Sequence, residues 1–149
     1  MLLNAPDLTK QPPRSPRVRL GGYAILPRML DKGRALLAGQ AGEYNFACPL
    51  DQQFLQFAGL DPKALKTELQ TGKGDGEILD WISAQSKTQP TAAAITAWSA
   101  FQDQRGPGDP GVRTYFNEIH AKIAPKRVDI TSWFELLDLD DYVSFGGRA

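Results

Sequence analysis

Six basic side chains lie within residues 12–35, PPRSPRVRLGGYAILPRMLDKGRA, against a single acidic one, Asp31. Guanidinium groups donate paired hydrogen bonds to carboxylates and phosphates, and an ammonium attracts the same anions as a point charge. Gly21 and Gly22 let the backbone approach a ligand closely, and the phenol of Tyr23 beside them can donate a further hydrogen bond. This segment therefore predicts a binding site for a small anion or for an acidic group of a partner. The residues assigned to it are Arg14, Arg17, Gly21, Gly22, Tyr23, Arg28 and Lys32.

The same basic side chains have a competing structural role. Residues 1–39 hold seven Lys and Arg and two acids, whereas residues 129–149 hold five acids and one Arg. The two ends of the chain can therefore pair with each other, for example at Asp138 and Asp141, and arginine stems can cover apolar surface. Such pairing would make the arginines internal clamps rather than ligand contacts. The substitutions that decide between the two roles are those of Arg14, Arg17 and Arg28.

An enzyme is the second hypothesis, because carboxylates and a histidine can act as acid and base. Two carboxylates in one pocket with separated pKa values would support a small hydrolase-like activity. Cys48 precedes a predicted helix start, a position that favours a thiolate. A nucleophilic cysteine usually needs a histidine partner, and His120 is the one histidine of the chain. We therefore expect Cys48 to be a buried structural cysteine. The acid–base candidates are Asp31, Asp51, Asp80, His120 and Asp129.

Standard cofactor and metal motifs are absent from the sequence. The stretch TGKGDGE, residues 71–77, has a lysine followed by glycine, whereas a phosphate-binding loop needs Gly-Lys-Ser/Thr after a strand. One histidine and one cysteine are too few for a typical zinc site. We therefore predict no metal and no cofactor.

A third hypothesis is an interaction or scaffold protein, such as a homodimer that pairs through exposed aromatic side chains. Trp133, Phe134 and Tyr142 form the candidate patch. Nucleic-acid binding is disfavoured, because 17 basic and 17 acidic side chains give a net charge of zero. The predicted partners are thus a small anionic ligand or another protein.

Length and composition indicate a single cytoplasmic domain. The chain has 149 residues, enough for one core, and 42% of them are hydrophobic. A single cysteine excludes an internal disulfide and suits a reducing compartment. The first residues, MLLNAPDLTKQ, lack the apolar core of a signal peptide, and no apolar run is long enough to span a membrane. We therefore expect a cytoplasmic protein with no membrane contact.

The distribution of proline, glycine and capping residues predicts an all-α fold. Residues 1–20 are rich in proline and arginine and should form an extended arm, packed on a helical body over 21–149 as a single compact domain. Six or seven short helices should follow the arm, bounded by Gly and Pro. Asp61, Asp75 and Ser132 are predicted to cap the start of three of them. The helical stretches lie within 26–39, 48–59, 60–72, 75–86, 88–106, 109–125 and 132–145.

Helical spacing also predicts which side chains face the core. Apolar residues three or four positions apart form one face of a helix. In the fifth stretch these include Ile95, Trp98 and Phe101, and in the sixth they include Tyr115 and Phe116. We expect these aromatic and aliphatic side chains to pack inward.

Several motifs resemble those of a small bacterial family whose members form a domain of unknown function. The likeness covers nearly the whole chain, from Asp7 to Asp141. It implies a stand-alone bacterial domain, and it brings with it no reaction, cofactor or catalytic residue. The motifs are Pro-Arg-Ser-Pro-Arg at 13–17, Leu-Gly-Gly-Tyr at 20–23, Leu-Pro-Arg at 26–28, Asp-Lys at 31–32 and ITSWFELLDLDD at 130–141.

Overall fold

The computed structural model of the chain describes residues 4–149. The described part contains seven α-helices and no β-strand beyond one isolated bridge between Leu20 and Tyr23, so the all-α prediction is confirmed. None of the helices in this part is long and apolar enough to cross a lipid bilayer. The helices are α1 (Leu26–Leu37), α2 (Pro49–Ala58), α3 (Pro62–Leu69), α4 (Asp75–Gln85), α5 (Ala92–Gln104), α6 (Pro110–Ile123) and α7 (Trp133–Ser144).

Two helix starts use the caps that the sequence indicates. The carboxylate of Asp61 accepts hydrogen bonds from the backbone of Lys63 and Ala64 at the start of α3. Ser132 and Glu135 form a reciprocal capping box at the start of α7. Both arrangements satisfy backbone N–H groups that have no partner inside the helix, which fixes where each helix begins.

The prediction that Asp75 caps α4 is wrong. Gly74 occupies the cap position, and its backbone N–H donates to the side chain of Glu77 at 3.2 Å. Asp75 is the first residue of the helix, and its carboxylate pairs with Arg14 and Arg34. The carboxylate thereby gains two cationic partners, and charge-assisted hydrogen bonds of this kind are among the stronger ones in proteins.

Helix α1 runs through the centre of the molecule. Its buried residues make up ten of its 12 positions and include four charged side chains. Met29 and Leu30 pack into an apolar cluster with Phe54 of α2 and Phe134 of α7. A helix buried on nearly all sides needs a partner for each charge it carries, because an unpaired buried charge is strongly destabilising. The four charged residues are Arg28, Asp31, Lys32 and Arg34.

The residue before α1 holds a strained backbone conformation. Ile25 has a φ of 74°, which a β-branched residue rarely adopts, and its side chain is fully buried. Its N–H donates to the carbonyl of Pro16 at 2.9 Å, and its carbonyl accepts from the N–H of Met29 at 3.0 Å. Packing and hydrogen bonds thus hold the arm against the first turn of α1, at a cost of about 1–3 kcal/mol of backbone strain.

The arm lies along the helical body. Leu8 is 1% exposed, and its N–H donates to the carbonyl of Gln40 at 2.9 Å. Pro13 and Pro16 are buried as well. Because these apolar residues anchor the arm, the arginines between and beside them are held close to the carboxylates of the body.

Two of the aromatic residues predicted to face the core are exposed. Phe101 is 62% exposed and Tyr115 is 59% exposed, so these two predictions are wrong. Helix α5 instead buries Ser99, whose hydroxyl donates to the carbonyl of Gly22 at 2.7 Å and accepts from the N–H of Ala24 at 2.9 Å. Buried backbone groups need hydrogen-bond partners, and this need sets which face of α5 is turned inward. The side chains that pack inward as predicted are Ile95, Trp98 and Phe116.

Candidate functional site

The double glycine forms a tight turn before α1. Leu20 and Tyr23 exchange backbone hydrogen bonds of 3.1 and 3.0 Å, which leaves Gly21 and Gly22 as the two central residues of the turn. Their φ values are 58° and 84°. A two-residue hairpin loop of type I′ needs positive φ at both central positions, and glycine adopts it without strain. The turn thus accounts for both glycines on structural grounds.

Replacing Gly21 with alanine is expected to lower the free energy of unfolding by about 1–2 kcal/mol, because alanine is strained at positive φ. The added methyl would also lie 2.6 Å from the end of the Leu79 side chain, which has to move. Gly76→Ala is the matched control. Position 76 lies inside α4 with open space around it, so alanine there should stabilise the chain by up to about 1 kcal/mol. Urea unfolding of both variants measures the two effects, and a neutral Gly21→Ala would contradict the assignment of the turn.

Tyr23 belongs to the aromatic part of the core. It is buried, and its ring meets the ring of Phe54 edge-on, with 5.2 Å between centroids, and that of Phe57 at 6.2 Å. Burial raises the pKa of the Tyr23 phenol above its ordinary value. The ring therefore contributes packing, as aromatic pairs of this geometry do.

Arg14 ties the arm to two helices. Its Nε and its backbone N–H both donate to Asp31 Oδ2, at 3.0 and 2.9 Å, and its Nη1 lies 2.7 Å from Asp75 Oδ2. Arg34 Nη1 approaches the other oxygen of Asp75 at 2.7 Å. Burial opposes the charge of the carboxylate, yet the hydrogen bonds from Arg14 and Arg34 lower the pKa of Asp75 below its ordinary value. For Arg14, burial likewise opposes the charge, and the two carboxylates nevertheless raise its pKa.

A cavity of about 860 Å³ opens beside this cluster, between the arm and the loop that follows α3. Lys10, Lys73 and Asp7 line it together with the four ion-paired side chains just described. The lining carries both signs of charge. An anion in this cavity would have to compete with Asp31 and Asp75 for the guanidinium groups.

Arg17 lies on another side of the arm. Its Nη1 donates to Asp103 at the end of α5 and its Nε donates to Asp138 of α7, each at 3.1 Å. All three side chains are partly exposed. Ion pairs at this exposure contribute up to about 1 kcal/mol each, so Arg17 is a surface link between the arm and two helices.

Arg28 is buried in the first turns of α1. Its Nη1 donates to Asp141 Oδ2 at 2.8 Å and to the carbonyl of Arg14 at 3.2 Å. The hydroxyl of Tyr44 donates to the other oxygen of Asp141 at 2.7 Å, and the guanidinium lies 5.5 Å from the centre of the Tyr44 ring. Burial first, and then the neighbouring Asp141 carboxylate, raise the pKa of Tyr44. The phenol therefore stays a hydrogen-bond donor to Asp141.

Lys32 lies one turn beyond Arg28 on the same side of α1. Its Nζ is 2.8 Å from Asp51 Oδ2 and 3.3 Å from the sulfur of Cys48. Asp51 is 0% exposed, and its Oδ2 also accepts from the N–H of Ala47 at 2.9 Å. Asp51 Oδ1 is buried without a hydrogen-bond partner within residues 4–149.

Arg28 and Lys32 line a second cavity, of about 560 Å³, that we term the α1 cavity. Tyr44 and Cys48 line it as well, and Glu43 and Asp140 add acidic groups to its wall. The remainder of the wall is mainly apolar. Its apolar lining includes Leu8, Leu50, Leu137 and Phe145.

The comparison with known protein families covers most of the chain. The family model described as "Domain of unknown function (DUF5069)" matches residues 10–143. The chain belongs to the DUF5069 family. The predicted likeness to a domain of unknown function is thereby confirmed. A search of curated proteins found no match.

This DUF5069 domain does not gather the seven predicted ligand residues at one cavity among its described residues. Arg28 and Lys32 share the α1 cavity, whereas Arg14 lines the cavity beside the arm. The turn at Gly21 and Tyr23 borders a small cavity of about 170 Å³. Arg17 lines a third cavity, so basic residues close in sequence line different cavities.

The proposed acid–base residues are also dispersed over the domain. Asp80 and Asp129 are exposed, and His120 Nε2 contacts the carbonyl of Arg127. Hydrogen bonds from Arg127 lower the pKa of Asp129 to about 2. Of the five candidates, Asp51 is the one next to Lys32 and Cys48. The aromatic residues predicted to form a dimer patch do not share one surface, since Phe134 lies in the core and Tyr142 is exposed.

Two residues of the α1 cavity are not among the ligand residues predicted from the sequence. Tyr44 lies in a loop without a motif, and its contact with Asp141 spans 97 positions. The sequence offers a histidine as the partner of Cys48, whereas the structure places the ammonium of Lys32 beside it. Lys32 lies 16 positions before Cys48, so their contact can be predicted only when the crossing of α1 and α2 is known.

Proposed function

We propose that this domain binds a small molecule bearing a carboxylate or phosphate, or an acidic group of a protein partner, in the α1 cavity. Arg28 and Lys32 would hold the anion. The observation that carries the proposal is that two cationic side chains, each 3% exposed, line one cavity of about 560 Å³. Ligand sites are typically apolar clefts with a few polar groups that fix the orientation of the ligand, and this cavity has that composition.

The charge pattern of the wall narrows the class of ligand. Asp141 and Asp51 balance the two cations, but an ammonium has three donors and a guanidinium five, more than these contacts use. Glu43 would favour a hydroxyl or amine at the far end of the ligand, because carboxylates accept hydrogen bonds. A small ligand with an anionic end and a donor group fits both features.

A cytoplasmic, bacterial setting belongs to the same proposal. It is supported by the single cysteine of the chain, which suits a reducing compartment, and by the resemblance of its motifs to those of a bacterial family. Small carboxylates and phosphates are abundant in such a compartment. A homodimeric interaction protein is the alternative, and light scattering at several concentrations would detect it.

A thermal-shift screen tests the proposal, with amino acids, dicarboxylates, sugar phosphates and nucleotides matched for ionic strength. A ligand at a hundred times its dissociation constant should stabilise the chain by about 2.7 kcal/mol. Amide chemical shifts of the 15N-labelled chain then locate it. Changes at Gly42–Asn45 and Asp140–Phe145 would support the α1 cavity. Changes confined to Gly72–Asp75 would place the ligand in the cavity beside the arm, and a panel without any hit would overturn anion binding.

A further inference from the structure

The lining of the α1 cavity differs in chemistry between its floor and its opening. Arg28 and Lys32 line the cavity and are buried, so their side chains form part of its floor. Glu43 and Ser144 are exposed and lie at its opening, and the half-buried Leu137 forms part of the wall between. A molecule in the cavity therefore meets cations at its inner end, apolar side chains along its body and water at its outer end.

Three apolar side chains of this lining lie outside the core. Leu8, Leu137 and Phe145 belong to neither of the two apolar clusters formed within residues 4–149. Phe145 is aromatic and yet 38% exposed. Apolar surface that borders a cavity is stabilised when an apolar part of a ligand displaces water from it. The lining therefore favours an occupant with an apolar body.

The acidic side chains of the lining limit the charge of that occupant. Glu43 and Asp140 both line the cavity, and Glu43 lies at its opening. A second anionic group at the outer end of the ligand would be repelled by these carboxylates, because like charges at short range destabilise each other. The cations of the floor are the favourable position for an anionic group, so a single one at the inner end fits the cavity.

We infer that the ligand of the α1 cavity is a monocarboxylate with a hydrocarbon body, bound with its carboxylate at Arg28 and Lys32. The position of the carboxylate rests on the function proposed above, whereas the hydrocarbon body follows from the apolar lining. Dicarboxylates do not meet this description, because they carry a second charge. Sugar phosphates do not meet it either, because hydroxyls cover their bodies and lose their hydration on burial against apolar side chains.

Alkanoates of increasing length, from acetate to octanoate, extend the ligand panel and test the inference. Amide chemical shifts of the 15N-labelled chain give the dissociation constant of each alkanoate and locate it. The shifts should change at Gly42–Asn45 and Asp140–Phe145. Each methylene that becomes buried should tighten binding about fourfold, until the tail reaches water at the opening.

Three probes with the same six-carbon chain separate the charge from the apolar body. Gluconate has the carboxylate of hexanoate but carries hydroxyls along its body, and 1-hexanol has the apolar body without the charge. We expect hexanoate to bind at least about tenfold more tightly than either of them. Gluconate would bury hydroxyls without partners, and 1-hexanol would lack the charge-assisted hydrogen bonds.

A variant of the wall tests where the tail lies. Phe145→Ala removes apolar surface from the lining, and Phe101→Ala is the matched control, because Phe101 is also exposed and is not part of the described lining. Octanoate should bind Phe145→Ala about fivefold more weakly than wild type, while butanoate should change less than about twofold. Both alkanoates should bind Phe101→Ala as they bind wild type. Circular dichroism confirms that each variant is folded, and an unchanged octanoate affinity in Phe145→Ala would contradict this position of the tail.

The outcomes separate this inference from the proposed function. If the dissociation constant does not fall with chain length, or if gluconate binds as tightly as hexanoate, the hydrocarbon body is wrong and anion binding stands. If 1-hexanol binds as tightly as hexanoate, the cavity does not recognise an anion, and both the inference and the proposed function are overturned. Both are also overturned if no alkanoate shifts the amides of the α1 cavity.

Discussion

Replacing Arg28 with methionine is expected to lower the free energy of unfolding by about 3–5 kcal/mol. Methionine keeps an unbranched apolar side chain in the core and removes the guanidinium, so the change isolates the charge. Asp141, which is 7% exposed, would lose its cation and retain the hydroxyl of Tyr44. A buried carboxylate without a cation is costly, because neither water nor the protein then compensates its charge. Urea unfolding followed by circular dichroism measures the loss.

Two further variants show whether the loss comes from the charge. Tyr44→Phe removes one hydrogen bond to the same carboxylate and should cost about 1.5–3 kcal/mol. The double variant Arg28→Met/Asp141→Leu removes both charges and should recover most of what Arg28→Met loses. If Arg28→Met is as stable as the wild type, the pair does not hold the fold, and the guanidinium is then free to serve a ligand.

Structural and binding roles of Arg28 are compatible. A charge in a poorly hydrated wall interacts strongly with an anion that enters the cavity, because water screens it little. The same wall fixes the position of the guanidinium through Asp141 and the Arg14 carbonyl, so that little side-chain entropy is lost on binding. Clamping and recognition thus draw on the same contacts.

Local signals in the sequence account for most of the fold. Proline and glycine bound the helices, and side-chain oxygens at Asp61 and Ser132 satisfy the first N–H groups. These are interactions over three or four positions, so they can be recognised without knowing the tertiary structure. The same reasoning is wrong for Asp75, because its carboxylate binds Arg34 and Arg14. These arginines lie 41 and 61 positions before it in the chain.

The sequence does not show which side chains of α5 are buried. Phe101 fits an apolar helical face by spacing, yet it is exposed. Ser99 is buried in its place, because its hydroxyl satisfies backbone groups of the glycine turn. Periodicity records which side chains are apolar, but it does not record which backbone groups elsewhere need a partner.

The sequence predicts that ion pairs form in this region, but it does not predict which residues pair. Opposite charge at the two ends of the chain indicated that arginines of the arm and α1 would meet acids of α7, and Arg28 and Asp141 do so over 113 positions. Which arginine meets which acid depends on the crossing of helices, and spacing along the sequence does not encode that crossing. The neighbours of Cys48 depend on the crossing of α1 and α2 in the same way.

Replacing Lys32 with methionine is expected to destabilise the chain by about 3–5 kcal/mol. The side chain of Asp51 is 0% exposed, so solvent does not compensate its charge when the ammonium is removed. Its Oδ2 would keep the N–H of Ala47, while Oδ1 already has no partner within the described residues. The penalty therefore arises from a carboxylate left with one neutral donor.

A double-mutant cycle with Asp51→Asn measures how strongly the two charges depend on each other. Asparagine keeps an oxygen that can accept from Ala47, so the cycle isolates the ion pair. We expect the double variant to lose about 1–3 kcal/mol less unfolding free energy than the two single variants lose together. The exposed control variant Lys10→Gln should stay within about 0.5 kcal/mol of wild type. Strictly additive losses would show that Lys32 and Asp51 do not stabilise each other. In that case the Asp51 carboxylate does not offset the cost of burying the Lys32 ammonium. The contact of the ammonium with the Cys48 sulfur and with a bound anion would have to offset that cost instead.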